Sequence, residues 1–186
     1  REVESVRTLV DEFSQYARFP ATQLAPVQLN AVVENAVEVF AGRLEGIDLH
    51  VDCDPALPPI QGDAEQLKRV VVNLVDNAAE ALQDSALKRI WISTAAIGNE
   101  VVELVVSDSG CGVSPEDREK LFLPYFSTKG RGTGLGLAIV SHVLGEHNAQ
   151  IRVEDNTPAG ARFVVEFPAL AEAVEEASDT KVEAKV

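Results

Sequence analysis

At 186 residues and 46% hydrophobic content, the chain is long enough for one domain with appendages and apolar enough to bury a core. Its formal charge of −14 argues against a general nucleic-acid binder, which needs basic surface. No apolar run reaches the roughly 18 residues of a membrane span. Cys53 and Cys111 form neither a disulfide framework nor a CxxC site, so a reducing cytoplasmic compartment is the default. The chain contains no methionine, and we expect a segment of a longer protein.

Residues 1–18 read as a helix. Val3, Val6, Val10, Phe13 and Ala17 alternate spacings of three and four, which fits a heptad seam of a dimerising helix or one amphipathic helix packed on its own domain. Pro20 and Pro26 bound a linker. Asn30 is placed to cap a helix running to about Arg43. "IDLHVDC" alternates as a strand and "PALPPIQG" reads as a turn region. Asp63 caps a second helix over about 64–83. "KRIWISTAAI" and "EVVELVVSD" form a hairpin joined at "GN". After a loop rich in Gly and Pro, a third helix is predicted from about Thr133 to Glu146. "AQIRVED" and "GARFVVEFP" make a last hairpin. The tail from Ala169 carries five acids, two lysines and no aromatic residue, the composition of a weakly ordered segment.

Three stretches carry chemistry. On the second helix Leu67, Val70, Val71, Leu74, Val75, Ala78, Ala81 and Leu82 make one apolar face. Asn73, Asn77, Glu80 and Asp84 share a polar stripe. Such a stripe ordinarily faces water. Asparagine is a poor choice there, because it is a weak helix former, whereas its amide oxygen is a good neutral ligand for Mg²⁺. In "VVSDSGCGV", Asp108 ends a strand before Gly110 and Gly112. Alone it fits a simple Asp-Ser-Gly turn best; the other reading is a buried carboxylate that accepts from the amino group of adenine and repels the carbonyl of guanine.

The third stretch, "KGRGTGLGLAIV" (129–140), sets glycines on alternate positions before an apolar segment. A flexible loop before a core helix fits. So does a phosphate site, where bare backbone and a helix N-terminus supply N–H donors. A P-loop fails because Lys129 precedes the glycines, and a Rossmann fingerprint fails because Ile139 stands at its third glycine.

In that order, with "LFLPYFSTK" between the last two, these stretches resemble the catalytic ATP-binding domain of bacterial sensor histidine kinases in the GHKL superfamily. "NLVDNAAEAL" resembles the N box, "DSGCGV" the G1 box, "LFLPYFSTK" the F box and "GTGLGLAIV" the G2 box. The likeness covers about residues 25–168 and is nearest to nitrogen-regulation type kinases.

The resemblance implies a two-layer α/β sandwich of the Bergerat type, a mixed sheet with three helices on one face, preceded by a helical stub. It divides the chain into the end of a dimerisation and phosphotransfer helix (1–18), a linker and first strand (19–29), the catalytic domain (30–168) and an acidic tail (169–186). It implies Asn77 as the Mg²⁺ ligand, Asn73 beside the phosphates and Asp108 on the adenine amino group, with Gly110 and Gly112 bending the chain around the base. Residues from about 114 to 131 become an ATP lid. Lys129 reaches the terminal phosphates, Thr133 caps the third helix, and Gly132, Gly134, Leu135 and Gly136 line the phosphates or pack the helix behind them. Phe122, Tyr125 and Phe126 are expected to pack the lid, with contact to the nucleotide as the alternative.

Glu80 stands where many members carry a basic residue or histidine. Gyrase-like relatives carry a water-activating glutamate where this chain has Asn73, and an amide cannot take that proton, so a kinase fits better than a hydrolase. The phosphoacceptor histidine is expected on an adjoining domain, with His50, His142 and His147 structural or on the surface. The implied cofactors are ATP and Mg²⁺. The implied partners are that dimerisation domain, in a homodimer, and the receiver domain of a response regulator. Inner-membrane anchoring of the parent is left open. A same-fold anti-sigma-type serine kinase, a gyrase-like ATPase and a degenerate nucleotide-binding interaction module are the alternatives.

Overall fold

A computed structural model of the chain describes residues 21–127 and 133–170. The stub at 1–18, Lys129, Gly132 and the tail beyond Leu170 lie outside the described residues.

Chain order runs β1 (Ala25–Val27), α1 (Leu29–Glu38), β2 (Asp48–Cys53), β3 (Ile60–Gly62), α2 (Ala64–Ala81), β4 (Arg89–Ile97) and β5 (Val101–Asp108). A short α3 (Pro115–Arg118), α4 (Gly136–Glu146), β6 (Gln150–Asp155) and β7 (Ala161–Pro168) follow. Five strands form one sheet in the order β2-β4-β5-β7-β6. β2 runs parallel to β4, and every other neighbour pair is antiparallel. The sheet is therefore mixed, as expected.

Strand alternation decides which residues face the helices. Ile90 and Ile92 on β4, Val102, Leu104 and Val106 on β5, and Phe163, Val165 and Phe167 on β7 fall on one face by register. They join a single core with the helices. The α1 residues Leu29, Val32, Val33 and Ala36 recur at helical spacing and are buried. On α2, Leu67, Val70, Val71, Leu74, Val75 and Ala78 do the same. Fully burying each large side chain stabilises the fold by roughly 1.5–3 kcal/mol, so α2, packed between α1, α4 and β5, is the central support of the helical layer. The opposite face of the sheet carries a network of ion pairs from Arg152 and Arg162 to Glu103, Glu154 and Glu166.

Several local expectations are corrected. Asn30 does not cap α1. The helix starts at Leu29 behind Gln28 and ends at Glu38, while the Asn30 side chain donates to the Asp54 carbonyl and accepts from the Thr94 hydroxyl. That tie to the sheet satisfies the amide better than an exposed cap. The "PALPPIQG" turn contains β3, which pairs with β1 in a separate two-stranded sheet. Asp84 lies beyond the end of α2. The Asp63 cap is as expected: its carboxylate accepts from the Glu65 and Gln66 N–H groups.

Candidate nucleotide site

The polar stripe of α2 does not face open water. Asn73 and Asn77 are half-buried beneath the start of α4. The Asn73 Nδ2 donates to the Arg69 carbonyl at 2.8 Å, which fixes the amide plane. A β-carbon at Gly136 would lie 3.1 Å from Asn73 Oδ1 and 3.7 Å from Asn77 Nδ2, so glycine is what lets the first residue of α4 sit this close to both amides. Glu80, one turn further along α2, is also half-buried.

α4 begins at Gly136, three residues later than predicted, with Leu135 as N-cap and no side-chain cap. Thr133 therefore does not cap the helix; its hydroxyl accepts from the Leu135 N–H two residues later, at 3.4 Å. The first-turn N–H groups of an α-helix have no acceptor inside it, and here they open beside the two asparagines. Leu135 is buried in the core, so it anchors the helix start from behind.

Gly134 has φ +70°, and its missing β-carbon would stand 2.6 Å from the Tyr125 carbonyl carbon. The Tyr125 N–H donates to the Gly134 carbonyl at 3.0 Å. The two residues clasp the base of the segment between them. Tyr125 itself holds a left-handed φ of +64° and is exposed, whereas Phe122 packs on the core. Arg118, at the end of α3, pairs with Asp155.

Asp108 ends β5 on the helix-facing side of the sheet and is only 2% exposed. Its Oδ1 accepts from the Gly110 N–H at 2.8 Å and the Ala161 N–H at 3.3 Å. A β-carbon on Gly110 would meet the Ala81 carbonyl oxygen at 2.6 Å, so Gly110 is required by contact with the end of α2. Gly112 is required by its φ of +72° and its approach to Gly160. Asn156, Gly160 and Ala161 also grip Asp108 and were missed. The stretch "DNTPAG" reads as an ordinary turn, and no local signal tells which strand end it will touch.

The three histidines stand apart from this arrangement. His50 is exposed, pairs with Asp48 and stacks on Trp91. His142 is exposed. His147 is buried; its Nε2 accepts from the Asp63 N–H at 2.9 Å and its Nδ1 donates to the Val143 carbonyl at 2.7 Å. It ties the end of α4 to the start of α2.

A mixed sheet under three helices, with a carboxylate at a strand end and paired asparagines under a glycine-rich helix start, defines an ATP-binding sandwich domain. The chain belongs to the histidine kinase-, DNA gyrase B- and HSP90-like ATPase family, whose model matches residues 62–171. Within that family it is of the sensor histidine kinase type. It is 33% identical to the signal transduction histidine-protein kinase AtoS of Escherichia coli K12 over 170 residues, covering 90% of this chain and 28% of that protein. The chain thus spans less than a third of that relative's length. Among solved structures, it resembles the mycobacterial sensor histidine kinase MprB with a TM-score of 0.70 and 30% identity, over 80% of this chain and 99% of that one. It also resembles histidine kinase ThkA in complex with the response regulator protein TrrA, with a TM-score of 0.74 and 26% identity, over 91% of this chain and 48% of that one. No helix among the described residues is long and apolar enough to cross a membrane.

Proposed function

We propose that the chain binds Mg·ATP between α2, α4 and the Asp108 turn, and passes the γ-phosphoryl group to a histidine on an adjoining dimerisation domain. The observation that carries this reading is the use of α2 as a ruler. Its end, at Ala81, touches Gly110 beside Asp108, while Asn77 and Asn73 meet Gly136 at the start of α4. Ala81 and Asn73 are about 12 Å apart along the helix at 1.5 Å per residue. That spacing suits a purine at one end and the outer phosphates at the other.

In this reading Asp108 accepts from the adenine amino group. The first-turn N–H groups of α4 and the backbone about Gly134, Leu135 and Gly136 cradle phosphate oxygens. Gly132, Thr133 and Lys129 belong to the same phosphate-side segment. The donor set fits Mg²⁺: a neutral amide oxygen of Asn77, with coordination positions left for water and phosphate oxygens. When bound, the ion would neutralise phosphate charge, and Asn73 would help orient the outer phosphates. The acceptor imidazole nitrogen attacks the γ-phosphorus, an N–P bond forms, the P–O bond to ADP breaks, and the ring proton leaves to solvent. Such transfer depends mainly on positioning and charge neutralisation. Asn73 has no basic oxygen to activate water, which favours transfer over hydrolysis.

The phosphate is then relayed to a response regulator, a partner class supported by the ThkA–TrrA likeness. The parent protein acts as a homodimer. In this reading residues 1–18 are the end of its dimerisation helix, 19–29 the linker and first strand, 30–168 the catalytic unit in the cytoplasm, and 169–186 an acidic tail.

Calorimetric titration of Mg·ATP and Mg·GTP tests the reading. ATP binding that GTP does not share, followed by label transfer from γ-labelled ATP to a supplied dimerisation domain, supports it. Absence of ATP binding, or rapid phosphate release in place of transfer, overturns it.

A further inference from the structure

We propose that Asn156 is a positioning residue for base selection: it holds Asp108 in the orientation that reads a 6-amino purine, acting through the backbone of β5 without touching the nucleotide. The inference rests on Asp108 being the base-contacting carboxylate.

The pairing of β5 with β7 ends at Ser107 and Arg162. Asp108, the last residue of β5, is one residue further along. The Asn156 Nδ2 donates to the Asp108 carbonyl at 2.7 Å. The amide is itself held, because its Oδ1 accepts from the Thr157 N–H at 3.0 Å and its own backbone N–H donates to the Gly160 carbonyl at 3.0 Å. From the same turn the Ala161 N–H reaches Asp108 Oδ1. One turn therefore grips both the carbonyl and the carboxylate of a single residue. Gly160 completes the grip, since a β-carbon there would overlap the Asp108 carbonyl oxygen at 1.8 Å.

Rigidity is what turns this into selectivity. A carboxylate held in one orientation accepts from the exocyclic amine of adenine and repels the guanine carbonyl at the same position. A carboxylate free to swing can accept instead from the N–H groups of guanine. Removing the Asn156 amide takes a hydrogen bond from the Asp108 carbonyl, which loosens the peptide that follows.

The test is the ratio of Mg·ATP to Mg·GTP dissociation constants in the wild type, Asn156→Ala, Asn156→Asp and a control, Arg152→Ala, on the outer face of β6. Asn156→Asp keeps the shape of the side chain and the acceptor for Thr157, but points an oxygen at the Asp108 carbonyl, so it tests the same bond if the alanine variant folds poorly. We expect both Asn156 variants to weaken ATP by about three- to tenfold, the weight of one buried hydrogen bond, with GTP weakened less or strengthened. Arg152→Ala keeps the wild-type ratio even where its melting midpoint falls. Folded Asn156 variants with an unchanged ratio, or an equal compression in Arg152→Ala, overturn the inference while leaving the functional reading intact. A wild type that binds ATP and GTP alike, or neither, overturns both.

Discussion

Gly160 and Asp108 are in backbone contact so close that a β-carbon on the glycine would stand 1.8 Å from the aspartate carbonyl oxygen. The glycine also has a φ of +111°, a region that side-chain-bearing residues rarely adopt. The turn between β6 and β7 is thereby welded to the strand end that carries the candidate base-reading carboxylate. Gly160→Ala is expected to destabilise the domain by at least about 2 kcal/mol, from strain and overlap together. A urea denaturation midpoint equal to the wild type's would refute the contact.

Asn77→Ala separates stability from function. Alanine is a better helix former than asparagine by roughly 0.5 kcal/mol, and Asn77 lies inside α2. Its melting midpoint should stay level or rise slightly while Mg·ATP binding disappears from the calorimetric trace. Binding at wild-type strength would remove Asn77 from the ion site.

Two glycines of the same helix should respond in opposite ways. Gly145 has open space where a β-carbon would go, whereas Gly136 has Asn73 Oδ1 at 3.1 Å. Gly145→Ala is expected to stabilise the protein by up to about 1 kcal/mol through helix propensity. Gly136→Ala should instead push α4 away from the asparagines and weaken ATP binding. Thermal melts and nucleotide titrations of both variants, run side by side, check the contrast.

His147→Ala should behave as a core lesion. It removes a buried ring and the bonds to Asp63 and Val143, at a cost of about 2–4 kcal/mol. With saturating nucleotide and below its lowered melting point, the variant should still support label transfer to a supplied dimerisation domain. Loss of transfer in the folded variant would assign this histidine a chemical part.

Asp76 gives a pH dependence of known sign. Burial pushes its pKa up, Arg43 pulls it down and Glu80 adds to the rise. A carboxyl group raised in the folded state contributes stability below the ordinary aspartate range and loses it as pH climbs through the raised value. Asp76→Asn should therefore be the more stable protein at neutral pH and lose that advantage in acid. The gain is a few tenths of a kcal/mol, because the group is half exposed and screened. Denaturation midpoints at the two pH values measure it.

Much of this was legible from residue order. The apolar spacing of α2, the alternation of β4 and β5 and the Asp63 cap depend on neighbours within a few positions, and local periodicity reports them faithfully. The asparagine stripe, the Asp-Ser-Gly turn and the glycine-rich helix start, in that order, resemble an ATP-binding domain, and the family match agrees. Asn30, by contrast, looks like a cap and is a tie to Thr94 and Asp54, and Thr133 looks like a cap but stands before the helix starts. At Asn30 partners far away in sequence compete with the local one, whereas Thr133 stays local and accepts from the Leu135 N–H.

The sequence by itself determined most of the elements, the family and the residue types at the candidate nucleotide site, because these follow from short-range pattern and from motifs with a physical purpose. Only the tertiary structure decided that α2 reaches from Gly110 at Ala81 to Gly136 at Asn73, that His147 ties α4 to Asp63, and that Asn156 and Gly160 close on Asp108 from 48 and 52 positions away. Those contacts depend on how the strands pair across the sheet, which is a sum over many weak long-range interactions that no local stretch of chain encodes.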